Sequence, residues 1–110
     1  MKTAIFLVLS LSVMINPVFA QNKETVRLRN GAKPMILGII GGDKLHCGHP
    51  VPANGTLTCS VPAGSRVTLR AVGWVMPGST VTFRCDGSSH GGGQYKVELL
   101  SSRECRIVRD

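Results

Sequence analysis

The chain has 110 residues, with 13 Lys and Arg against 6 Asp and Glu and a formal charge of +7. That length holds one domain and leaves no room for a second. A basic excess of this size points to anionic partners, such as envelope phosphates, acidic polysaccharide, nucleic acid or an acidic protein face.

Residues 1–20 read as a cleavable signal peptide. Lys2 supplies a positive start, Ala4–Ile15 is apolar, and Asn16-Pro17 breaks the helix before Val18-Phe19-Ala20. The apolar stretch is too short for a stable anchor and no second one follows, so no integral membrane segment is expected after cleavage. Gln21 rather than Cys follows the expected cut, which leaves the lipoprotein route without support. Export to the periplasm or outside the cell is the expectation, and the short Lys-led leader has a bacterial look. Once Lys2 is lost, basic residues still outnumber acidic ones two to one.

Residues 21–110 carry no low-complexity linker and are expected to form a single β domain. Gly and Pro recur every eight to twelve residues, the spacing of short strands joined by tight turns. Thr25–Arg29 alternates around Val26 and Leu28, and Asn30-Gly31 then signals a turn. Met35–Ile40 is a continuous apolar run, predicted to be a strand covered on both faces. Gly41-Gly42-Asp43 ends it, and His46-Cys47-Gly48-His49 is read as turn. Thr56–Val61 points Leu57, Cys59 and Val61 inward; Ser65–Ala71 does so with Val67, Leu69 and Ala71; Thr80–Cys85 with Val81, Phe83 and Cys85. Trp74 falls in a connection, Asp86–Gly93 is a Gly-rich hairpin tip, and Gln94–Leu100 and Glu104–Val108 are the last strands. Tyr95, Val97 and Leu99 share one side.

Gly64–Arg70 is echoed by Gly78–Arg84, which shared turn chemistry explains better than a repeat array. The predicted fold is all-β: a small disulfide-stabilised antiparallel β-sandwich, or small barrel, of about seven short strands. An immunoglobulin domain is disfavoured, because Trp74 is outside a strand and Arg103 stands where a tyrosine corner needs Tyr.

Cys47, Cys59, Cys85 and Cys105 form an even set in an exported chain, so disulfides are expected. Four cysteines allow three pairings. Cys47–Cys59 and Cys85–Cys105 are preferred because each encloses a short turn-rich excursion. Alternation directs Arg66, Arg70, Arg84 and Lys96 away from the core, giving a basic sheet face suited to carboxylate, phosphate or sulfate oxygens. Its expected partner is an anionic polymer, an anionic lipid surface or an acidic protein face. Aromatics are not interleaved with the arginines, so sequence-specific nucleic-acid binding and base stacking are disfavoured. Asn54, Ser88, Ser89 and His90 are candidate loop contacts.

His46, His49 and His90, with Asp43, are weak candidates for metal ligation, because their spacing lacks the paired clips of a closed site. No cofactor is implied. Catalysis is not expected: Ser88 and Ser89 lack a strand–turn–helix elbow, and no two carboxylates are set apart by pattern. Asn54-Gly55-Thr56 fits a glycosylation sequon that a bacterial host would leave idle. The reading is a small exported binding protein without enzymatic activity. Its alternatives are an inhibitor or immunity-type protein acting through the disulfide-held loop Val51–Gly55, and a metal-handling periplasmic protein.

Overall fold

A computed structural model describes residues 22–110; the leader expected over residues 1–20 lies outside them. Eight strands follow in order: β1 (Lys23–Asn30), β2 (Met35–Gly41), β3 (Lys44–Val51), β4 (Thr56–Pro62), β5 (Arg66–Trp74), β6 (Thr82–His90), β7 (Gly93–Ser101) and β8 (Glu104–Arg109). They form two four-stranded sheets, ordered β4-β1-β7-β8 and β3-β2-β5-β6. No helix among the described residues is long and apolar enough to cross a membrane.

Strand alternation builds the core. Val26 and Leu28, Leu37 and Ile39, Leu57 and Val61, Val67 and Leu69, and Val97 all point between the sheets and are fully buried. Every pairing is antiparallel except β1 with β7, which runs parallel in the register Val26↔Gly93 to Asn30↔Val97. Because the strands run back and forth, the loops gather at two poles. The first pole carries the β2–β3, β4–β5 and β6–β7 turns. The second carries segments 31–34, 52–55, 75–81 and 102–103.

Both disulfides have the expected pairing, Cys47–Cys59 and Cys85–Cys105, with Cα separations of 6.3 and 5.6 Å. Each joins an edge strand of one sheet to an edge strand of the other: β3 to β4, and β6 to β8. The two open flanks of the sandwich are thereby closed covalently. Such bridges fit an oxidising compartment.

Several expectations need correction. His46–His49 lies within β3, a strand the sequence reading missed, so there are eight strands rather than seven. Met35–Ile40 is covered on one face only: Ile36 is exposed and Ile40 half-buried, while Leu37 and Ile39 are buried. β6 runs on to His90, so Asp86–His90 is strand and only the segment around Gly91-Gly92 turns. Val81 precedes β6 and is exposed, and Trp74 ends β5. Leu99 is partly exposed where the β7–β8 register shifts. The Gly64 and Gly78 echoes lead into the two arms of a single antiparallel pair, β5 with β6.

Candidate functional site

The four basic residues assigned to one face are divided between two. Arg66, Arg70 and Arg84 lie on the outward side of β3-β2-β5-β6, whereas Lys96 lies on the outward side of the other sheet. There its Nζ is 3.7 Å from Glu98 Oε2. The first face is also less positive than expected. The extension of β6 places Asp86 opposite Arg70 in register. Arg70 Nε–H donates to Asp86 Oδ1 at 2.9 Å, and Arg84 Nε is 3.8 Å from Oδ2. The hydrogen bond that Arg70 donates to Asp86 raises the Arg70 pKa, with the Asp86 charge adding to it against some desolvation.

Arg66 escapes this neutralisation. As the first residue of β5 it pairs with His90, the last of β6, and its Nε–H makes a long contact of 3.4 Å to His90 Nε2. Arg66, Ser88, Ser89, His90, Tyr95 and Arg109 line one polar cleft of about 400 Å³. Four different strands contribute to it. β5 gives its first residue, β6 its last three, β7 its third and β8 its last.

The inner wall of the cleft is held rigidly. Tyr95 is buried, and its hydroxyl donates to Ser89 Oγ at 2.8 Å; Ser89 Oγ in turn donates to the Gly91 carbonyl at 3.0 Å. The Arg109 guanidinium lies 5.6 Å from the centre of the Tyr95 ring, a cation–π placement. Among the described residues neither Arg66 nor Arg109 pairs with a carboxylate. Asp110, next to Arg109, is instead committed to Arg29. Arg29 Nε–H donates to its Oδ2 at 3.0 Å and holds the Asp110 carboxyl below its ordinary value, chiefly through that hydrogen bond. Glu24, near the same pole, accepts from the Gly64 amide at 2.8 Å. Two guanidiniums therefore converge on a cleft without a resident counter-charge. That arrangement suits an oxyanion.

The expected loop contacts separate. Ser88, Ser89 and His90 share this cleft with Arg66, while Asn54 is at the second pole. Arg109 was missed. Continuing the Cys105, Ile107 alternation by one step would have placed it on the inner side, over Tyr95. Asn54 has a left-handed backbone, φ 67°, in a loop organised by the buried Asn30. Asn30 Nδ2 donates to the carbonyls of Lys33, Val51 and Pro52 at 2.8, 3.0 and 3.3 Å, and its Oδ1 accepts from the Ala32 amide at 3.1 Å.

The histidines do not gather. His46 and His49 are on β3, and His90 ends β6 at the opposite edge of that sheet. No group of three metal-type side chains is assembled among the described residues. Ser89 gives its proton to a backbone carbonyl rather than to a base. No family model, curated protein or solved structure matches the chain.

Proposed function

We propose that this is a small exported binding protein, without enzymatic activity, that holds an anionic group in the cleft between Arg66 and Arg109. The ligand chemistry is a phosphate, sulfate or carboxylate borne by an envelope or extracellular component. One observation carries the reading: two arginines without carboxylate partners among the described residues line the same polar cleft, beside Ser88 and His90. The cleft volume is in the range of small-ligand sites. Export is supported by two disulfides and by the leader-like pattern of residues 1–20.

The test is titration with inorganic pyrophosphate and with a sulfated polysaccharide at several salt concentrations. Binding should weaken as salt rises, since charge-led contacts are screened over about 8–10 Å at physiological ionic strength. Arg66→Gln with Arg109→Gln should lower affinity at least about tenfold, because a hydrogen bond to a charged group contributes roughly 1.5–3 kcal/mol. Arg27→Gln with Lys44→Gln removes equal charge elsewhere and should cost much less. Equal losses would mean that net charge alone acts. If the wild-type chain binds neither probe, the loop Val51–Gly55 contacting a protein partner becomes the better reading.

A further inference from the structure

The second pole is unlike the first in composition. Its four connecting segments are Gly31-Ala32-Lys33-Pro34, Pro52-Ala53-Asn54-Gly55, residues 75–81 and Ser102-Arg103. None contains an acidic residue, and two carry a cation, Lys33 and Arg103. Large apolar side chains project from the same pole: Trp74, Met76 and Val81 are 38%, 63% and 58% exposed, and Leu100 at the end of β7 is 53% exposed. Scattered exposed apolar residues are ordinary, but a group of them that includes the tryptophan and sits beside two cations, with Glu98 and Glu104 set back on β7 and β8, marks an interaction surface.

Half of the amide donors at the tip, three of six, are paired within it. The Val75 amide donates to Val81 O at 3.0 Å, the Ser79 amide to Met76 O at 3.0 Å, and the Val81 amide to Ser79 Oγ at 3.0 Å. Pro77 has no amide proton to satisfy. The groups already paired keep their hydrogen bonds on entering a poorly hydrated layer, so only part of the tip backbone depends on water there. Behind the tip, Lys33, Pro34, Trp74, Pro77 and Gly78 line a mostly apolar slot of about 250 Å³. Lys33 Nζ stands 5.0 Å from the centre of the Phe83 ring and donates to Val75 O at 3.3 Å, with no carboxylate partner among the described residues. An apolar slot with an unneutralised ammonium beside it is complementary to a lipid, whose acyl chain and anionic headgroup present the same two chemistries in the same order.

We propose that this pole docks on the surface of an anionic lipid bilayer, with the Trp74–Val81 tip in the interfacial layer and Lys33 and Arg103 against the headgroups. Trp is favoured at that depth because its ring is apolar and its N–H polar. The basic side chains add an attraction that depends on anionic lipid. The Arg66–Arg109 cleft lies at the other end of β5, about 26 Å away for nine residues at ~3.3 Å per step. It would face the aqueous side, so docking does not depend on the cleft.

Trp74 is the single tryptophan of the chain, so its emission reports on this pole alone. The chain from Gln21 onward, which contains both sheets, is mixed with vesicles of phosphatidylcholine alone or with about one third phosphatidylglycerol. Expected are a blue shift and co-flotation with the anionic vesicles, with much weaker binding to phosphatidylcholine alone. Lys33→Gln with Arg103→Gln should reduce binding to the anionic vesicles about 30-fold, as for the loss of two juxtamembrane charges. Met76→Asp with Val81→Asp keeps the reporter and should abolish binding; Met76→Ser with Val81→Ser gives the same reading with a milder change. Arg66→Gln with Arg109→Gln should leave vesicle binding intact, which separates this surface from the cleft. The proposal is overturned by an absence of shift with anionic vesicles or by equal binding to both lipid mixtures. It is also overturned if the tip variants bind as wild type while folded.

Discussion

At Asn30 one buried carboxamide holds two loops of the second pole in place, its two amide protons shared among three carbonyls and its oxygen accepting from one amide. Replacing it by Ala strips donors from carbonyls that water reaches poorly. Asn30→Ala should therefore cost about 2–3 kcal/mol in urea unfolding, since a buried polar group left unpaired costs roughly 1–3 kcal/mol. A loss under half a kcal/mol would show that water replaces the amide. The sequence marks Asn30-Gly31 as a turn, but it gives no hint that the side chain points inward. Charge was legible in the same partial way. Arginine directions follow from alternation, yet which of them stay unneutralised depends on where the acidic residues fall. Asp86 cancels part of the Arg70 and Arg84 charge only because β6 continues through it.

Strands whose inward residues are branched or aromatic could be read directly, as in β1, β4, β5 and β7. β3 could not. Its eight residues include two His, a Gly and a Pro, and Val51 is the only one fully buried, so the periodic signal is missing. The far half of β6 was hidden likewise: Gly87 and Ser89 take inward positions that larger side chains usually fill. Gly87 is there because Ile107 of β8 packs closely against it, a constraint visible only in three dimensions. The β6–β7 turn gives a test at this scale. Gly91 has φ +69°, and a side chain there would run into Glu24; Gly42 has φ +61° with open space around it. Gly42→Ala should cost only the left-handed backbone penalty of about 1–2 kcal/mol. Gly91→Ala should cost clearly more and also disturb the cleft edge at His90. Equal losses in thermal unfolding would show that both Glu24 and the Gly64 amide, which also lies close to the added carbon, give way freely.

For the molecule as a whole, the two bridges lie on opposite flanks and each ties one sheet to the other. Each should contribute about 2–4 kcal/mol, a large share of the stability of so small a core. Reduction should lower the unfolding midpoint sharply, and an unchanged midpoint would make the bridges incidental. Removing Cys85–Cys105, which spans 20 residues, should cost about 0.5 kcal/mol more than removing Cys47–Cys59, which spans 12, if chain entropy dominates. The parallel pairing of β1 with β7 has a further effect, on timing. The first strand to leave the ribosome has to wait for the next-to-last before its sheet can close. At roughly 5–20 residues per second that wait lasts several seconds. During it β1 has only β4 as a sheet partner, and Cys85 has no Cys105 to join. The sheet that holds β1 thus stays half-built until the last two strands have been made, while β3-β2-β5-β6 has all its members by His90.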